Sequence, residues 1–241
     1  MLITIFSPKK KSPPIQSNPT TMPTHKRRTS RFLTSCNAPF AQYEQKRCRP
    51  LDGAEIDKLW RVLNVPILPG HSTTYKQFLN AILGASPQPL YIMGDFVRDW
   101  VRNPKRFYLR ASKDVDLNVR DLSIAKVEHI CKSFHLPYQV GKKGILTIRH
   151  NGKDRLNLKC VTNATYARLH TFEAPCNSLF LCVYDADHLC LIDPLKRGTS
   201  DALASVYYFD PRAIFSRTRK HKMKARGFRV IQSPYRLQSR G

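Results

Sequence analysis

Acidic residues are scarce in this chain of 241 residues: 17 Asp and Glu stand against 41 Lys and Arg, a formal charge of +24. Such a surplus repels other cations and draws polyanions, so nucleic acid or an anionic surface is the expected class of partner. No apolar run reaches the roughly 18 residues that a bilayer-spanning helix needs, so no integral membrane association is expected. The seven cysteines (36, 48, 131, 160, 176, 182 and 190) are odd in number and include no CxxC pair. They fall largely in apolar runs, as reduced core residues do. His188 and Cys190 lie two apart, but no second Cys/His pair at ligand spacing accompanies them as a structural zinc site would require.

What is present divides into three parts: a basic tail over residues 1–50, predicted to be disordered, a globular head over 51–205 and a basic helical extension over 206–241. Residues 1–43 hold no acid, carry Lys9, Lys10, Lys11, Lys26, Arg27, Arg28 and Arg31, and are rich in Ser, Thr and Pro. Such a stretch buries too little apolar surface to fold alone. Its composition fits a mitochondrial transit peptide, although prolines at 8, 13, 14, 19 and 23 break any amphipathic helix. The Lys26-Arg27-Arg28 cluster fits a nuclear signal, an RNA-binding arm or a solvated tail equally well. An intracellular protein is expected, mitochondrial or nuclear if the tail is an address and cytoplasmic otherwise. After Asp210 there is again no acid, and Arg212, Arg217, Arg219, Lys220, Lys222, Lys224, Arg226 and Arg229 crowd together.

Within the head, Ile56, Leu59, Trp60 and Leu63 recur at helical spacing, as do Tyr75, Phe78, Leu79 and Ile82. Leu90 to Met93 reads as a buried strand entering a tight turn at Gly94, and Val97, Trp100 and Val101 continue as a helix. Residues 104–113 are basic and loop-like. Asp114 to Val119 alternates polar with apolar as a half-buried strand does. Another helical stripe (Ile124, Val127, Ile130, Cys131, Phe134) precedes strand-like runs at 144–148, 155–161 and 179–184. This order predicts an α+β fold, a small mixed sheet flanked by helices.

Two features carry chemistry. A glycine at a strand-to-helix turn admits a ligand close to the backbone, and the helix it opens directs unpaired N–H groups at an anion, with Arg98 one turn along. Gly94-Asp95-Phe96-Val97-Arg98-Asp99 has this form. It also fits an ordinary turn in which Asp95 caps the helix and Arg98 pairs with Asp99 on the surface. The second feature is Asp114-Val115-Asp116, which sets two carboxylates side by side on one strand face, where they repel unless a cation lies between them. Magnesium is the natural occupant, and two such ions activate an RNA 3′ hydroxyl and neutralise a nucleoside triphosphate.

Together the segments from Ile92 to Asn118 resemble the GGxVRD…DxD signature of the head domain shared by tRNA CCA-adding enzymes and bacterial poly(A) polymerases, in the DNA polymerase beta-like nucleotidyltransferase superfamily. Downstream, Glu173-Ala-Pro-Cys-Asn177 is similar to that family's RRDFTINA segment, and Asp193-Pro194 with Gly198-Thr-Ser-Asp201 to its DPxGGxxDL. The resemblance covers roughly residues 88–204. It implies template-independent transfer of a nucleoside monophosphate to an RNA 3′ end, with a nucleoside triphosphate and two Mg2+ ions bound. It places metal binding at Asp114 and Asp116, and triphosphate contacts at Gly94, Asp95, Arg98 and Asn177.

The departures are specific. Asp95 stands where the family turn has its second glycine. At the expected third carboxylate, the register Leu156-Asn157-Leu158 offers an amide, which cannot act as a base; Asp154 is the nearest acid and the candidate substitute as a third catalytic carboxylate. Thr171 and Phe172 replace the paired arginines, and the EDxxRxxRxxR helix survives only as Asp210 with Arg212, Arg217 and Arg219. Family members carry a further helical body that holds tRNA, a role a protein partner could fill here. An RNA nucleotidyltransferase is therefore expected, with a non-catalytic RNA-binding or partner-binding protein of the same fold as the alternative.

Overall fold

The computed structural model of the chain describes residues 48–103, 107, 114–141, 144–161, 174–209 and 216–232. The acid-free start, most of the basic 104–113 loop, Thr171, Phe172, Asp210 and Arg212 lie outside the described residues, as does the Arg217 side chain.

The elements in chain order are β1 (Cys48–Pro50), α1 (Gly53–Leu63), α2 (Tyr75–Ala85), β2 (Leu90–Met93), α3 (Asp95–Arg102), β3 (Val115–Arg120), α4 (Ile124–Ser133), β4 (Gln139–Val140), β5 (Ile145–His150), β6 (Lys153–Val161), a 3-10 turn (Pro175–Asn177), β7 (Phe180–Val183), β8 (Leu189–Ile192), α5 (Gly198–Leu203), β9 (Val206–Phe209), α6 (Ser216–Ala225) and β10 (Arg229–Gln232). Eight strands make one sheet in the order β1-β8-β7-β2-β3-β6-β5-β4. Only β3 and β6 pair in parallel within it; the other pairings are antiparallel. The fold is α+β, a mixed sheet flanked by helices, as the element order predicts. The sheet is larger than the small one expected, because β1, β4 and β8 are two to four residues long and show too little alternation to read as strands.

Helix starts follow from local chemistry. Asp52 and Glu55 form a reciprocal capping box on α1, and Thr74 and Gln77 form another on α2, each satisfying two N–H groups that the helix cannot. The predicted stripes face inward: Leu59, Trp60 and Leu63 on α1, and Tyr75, Phe78, Leu79 and Ile82 on α2. Phe78 meets Phe134 at the end of α4, with ring centroids 6.5 Å apart. On β3, Val115, Leu117 and Val119 join the core, and the other face presents Asp116, Asn118 and Arg120. All four residues of β2 are buried, as befits a strand in mid-sheet. No helix among the described residues is long and apolar enough to cross a membrane.

Two boundaries differ from the sequence expectation. Cys48–Pro50 lies within the segment assigned to the tail, yet it pairs antiparallel with β8 as an edge strand of the sheet. The extension from 206 is not purely helical, since β9 and β10 form a parallel pair beside α6. Arg102 ties this extension to α3. Its Nε donates to Ser205 Oγ (2.7 Å), its Nη1 and Nη2 donate to the carbonyls of Arg226 (2.6 Å) and Gly227 (3.2 Å), and its guanidinium lies over the Phe228 ring, 4.4 Å from the centroid. Three hydrogen bonds from one charged group, with a cation–π contact, hold the end of α6 on α3. Arg102→Ala is expected to cost about 2 kcal/mol locally. In hydrogen exchange, the amides of Met223 to Ile231 lose protection while those of β3 keep it; equal loss in both would mean that the extension and head unfold as one unit.

Candidate active site

Strand β2 ends at Gly94, whose φ of +76° and ψ of −150° are open only to glycine, and the chain turns there into α3. A Cβ on Gly94 would lie 2.6 Å from Asp116 Oδ2. The closeness follows from register, since Met93 pairs with Asp116 across the antiparallel β2–β3 ladder. Glycine is thus required by backbone angle and by the carboxylate that leans on it.

Asp114 and Asp116 stand together near the start of β3. Asn157, the parallel register partner of Asp116 on β6, donates through Nδ2 to Asp114 Oδ2 (3.2 Å) and to Asp116 Oδ1 (3.1 Å). One side-chain amide therefore bridges the two carboxylates. Burial, and then the Asp114 charge, push the Asp116 carboxyl up to about 6, against the pull of the Asn157 hydrogen bond. Asp114 is raised as well, first by burial and then by the charge of Asp95, while Lys222 and Arg226 act in the opposite sense.

The first turn of α3 is a second cluster. Arg98 has no exposed side-chain surface. Its Nη1 donates to Asp95 Oδ1 (2.7 Å) and to Asn177 Oδ1 (2.9 Å), and its Nε donates to Asp99 Oδ1 (2.8 Å). Its Nη2 lies 2.7 Å from the same Asp99 oxygen, too bent for a hydrogen bond. Asp95 Oδ2 accepts from Lys222 Nζ (2.8 Å) and Arg226 Nη1 (2.7 Å). Burial raises the Asp95 carboxyl, but Arg98, Lys222 and Arg226 overcome this and hold it well below the usual carboxylate range. A carboxylate with three cationic partners is a partly buried junction whose loss would leave the fully buried Arg98 undercompensated.

The structure brings some predicted site residues together and disperses others. Gly94, Asp114 and Asp116 converge. Arg98 pairs with Asp99, but in the interior and not on the surface. Asn177, on the 3-10 turn, is buried and faces Arg98. Asp95 does not cap α3, which has no side-chain cap, and turns to α6 instead. Asp154 lies at the β5–β6 hairpin, where it accepts from Arg149 Nε (2.6 Å); its charge contributes to the field at Asp114, and the group meeting both aspartates is Asn157. The Asp193 carboxylate accepts from the Gly198 and Thr199 amides (3.0 and 2.8 Å) and so closes the loop into α5. Lys222 and Arg226 were not assigned to the site from sequence. Their i, i+4 spacing places them on one face, but the partner they share is Asp95, more than a hundred residues upstream.

Among the described residues no group of three or more His, Cys, Asp or Glu side chains converges. The donor set is two carboxylates and an amide, all with oxygen ligands, which suits a hard divalent cation. The raising of both carboxyls, by burial first and then by the neighbouring acids Asp114 for Asp116 and Asp95 for Asp114, is the strain that such a cation would relieve.

Comparison with known proteins places the fold. The chain is similar to the Thermotoga maritima CCA-adding enzyme complexed with tRNA, at a TM-score of 0.53 and 19% identity over 79% of this chain and 44% of that one. It is also similar to a tRNA-processing enzyme with CTP, at a TM-score of 0.48 and 19% identity over 66% of this chain and 44% of that one. No family model matches the sequence, and no curated protein does. The first of these likenesses shows the fold, which this chain shares with the Thermotoga maritima CCA-adding enzyme, and the chain spans less than half the length of these structures.

Gly94→Ala is expected to destabilise the protein by about 2 kcal/mol or more, combining backbone strain with displacement of Asp116. Gly70→Ala is the control, since Gly70 has a similar φ of +77° with nothing near its absent Cβ. Urea titration should show the larger loss at Gly94; equal losses would mean that the Asp116 contact contributes nothing. A second test uses pH. Because the folded-state pKa of Asp116 is raised to about 6 from the ordinary 3.8, its contribution to stability is fully present below about pH 4 and is lost as pH rises through 6. Asp95, being depressed, acts in the opposite sense and only below about pH 4. In chelator-containing buffer the wild type should lose about 1.4 kcal/mol more than Asp116→Asn between pH 5 and 7.5. Parallel curves for the two proteins would exclude the shift.

Proposed function

We propose that this chain is a magnesium-dependent, template-independent RNA nucleotidyltransferase of the CCA-adding or poly(A) polymerase kind. In this reaction the RNA 3′ oxygen bonds to the α-phosphorus of a nucleoside triphosphate, the α–β phosphoanhydride bond breaks, and pyrophosphate leaves as the hydroxyl proton is released. The observation that carries the reading is the juxtaposition of Asp114, Asp116 and the Gly94 turn. Two half-buried carboxylates repelling each other are costly for a fold to keep, and become useful when they bind a cation. They would hold magnesium, which when bound supplies neutralisation of phosphate charge.

The chain's own residues have separable tasks. Gly94 keeps the turn clear of side-chain atoms beside Asp116. Arg98 fixes the first turn of α3 from beneath through Asp95, Asp99 and Asn177, as a positioning residue. Lys222, about half exposed, and Arg226 lie where the negative charge of Asp95 now holds them, close enough to lower the carboxyls of Asp114 and, for Lys222, of Asp116. A triphosphate entering beside the aspartates would compete with Asp95 for these two cations. The net charge of +24 supplies the attraction for the acceptor RNA.

The Asp95 junction also favours a second reading, because it already fills the first turn of α3 with an anion. On that reading the protein keeps the fold and binds RNA or a partner without catalysis. The deciding experiment supplies magnesium, each labelled nucleoside triphosphate and an RNA pool to wild type and to an Asp114→Ala, Asp116→Ala double variant. Incorporation by the wild type should fall by roughly a hundredfold or more in the variant. Persistent RNA binding with no addition of any nucleotide, in magnesium or manganese, would establish the second reading instead.

A further inference from the structure

Asp116, Asn157 and Thr147 are register partners on the adjacent strands β3, β6 and β5, so their side chains form a row across one face of the sheet. The Asn157 amide spends its Nδ2 hydrogens on the two aspartates, and its Oδ1 accepts from Thr147 Oγ1 at 3.0 Å. An amide nitrogen in this place does for two repelling carboxylates, weakly, what a cation would do strongly. It cannot stay there when a divalent cation arrives, because its N–H dipoles would then point at positive charge.

The partner on the far side of the amide is a hydroxyl, which donates or accepts equally well. A half-turn of the amide about its terminal torsion exchanges Nδ2 for Oδ1. The contact with Thr147 survives, now with Nδ2 donating to Oγ1, and a neutral carbonyl oxygen faces the carboxylates.

We infer that Asn157 is a two-state residue of the metal site, bridging Asp114 and Asp116 through Nδ2 when no cation is bound and ligating a divalent cation through Oδ1 when one is, with Thr147 as the hydroxyl that serves both states. The inference rests on the reading of Asp114 and Asp116 as a metal pair, and goes further by assigning the third ligand to an amide and not to Asp154. It needs no catalysis to be true.

The test is titration of the full chain with magnesium chloride, followed by calorimetry and by the side-chain amide signals of Asn157 in proton–nitrogen NMR spectra, identified by their absence from Asn157→Asp. Both amide protons should shift with the midpoint seen by calorimetry, as their acceptors change from carboxylates to the Thr147 hydroxyl. Asn157→Ala should weaken magnesium binding on the order of tenfold, and Asn157→Asp should strengthen it by a similar factor. Asp154→Asn should change it little. Magnesium binding with unmoved Asn157 signals and unchanged affinity in Asn157→Ala would overturn the assignment, as would absence of binding by the wild type. An Asn157 response in a protein that never incorporates nucleotide would support the assignment while removing the transferase reading.

Discussion

The contact between the Asp116 carboxylate and the Gly94 turn governs the rest of the site. It exists because β2 and β3 are paired so that the last residue of β2 lies opposite Asp116. That register fixes where α3 begins, and the start of α3 fixes Asp95 and Arg98. From there the hydrogen bonds of Arg98 reach the 3-10 turn at Asn177, and those of Asp95 reach α6. A one-residue slip between β2 and β3 would turn the aspartates to the other face of the sheet and separate them from the turn. The hydrophobic alternation of Val115, Leu117 and Val119 opposes such a slip, so core packing and site geometry are set by the same pairing.

Much of this was legible in the sequence for physical reasons. The amphipathic stripes of α1, α2 and α4 have the length and period that identify helices, and the polar-apolar alternation from Asp114 identifies a strand with both aspartates on one face. The turn at Gly94 could be read because few residues other than glycine join a strand to a helix so abruptly. The position of Asn157 beside the aspartates was also readable, as the register that a third carboxylate would occupy.

What could not be read depends on partners distant in sequence. Nothing local to Lys222 or Arg226 marks them out from the surrounding cations; their distinction is the Asp95 carboxylate on α3, with Asp99 also 3.7 Å from Arg226 Nη1. Arg98 carries the same lesson in reverse. One helical turn from a glycine, it has the spacing of a phosphate ligand, but the fold encloses it between Asp95, Asp99 and Asn177 with no exposed surface. Strands β1 and β8 escaped because a short apolar or polar run becomes a strand only when a neighbour completes its ladder.

The Asp95 junction bears on how freely this protein could change. A glycine at position 95 would match the two-glycine turn that the sequence resembles, but the exchange would do more than empty a place at the head of α3. It would remove one of two acids compensating a fully buried Arg98 and release both Lys222 and Arg226 from their shared partner. Those costs fall on the interior and on the attachment of α6 together. The exchange would therefore need compensating changes near Arg98 and on α6, and each of those alone would break a contact that is now intact. The aspartate is entrenched: whatever chemistry this site performs has to proceed with it in place.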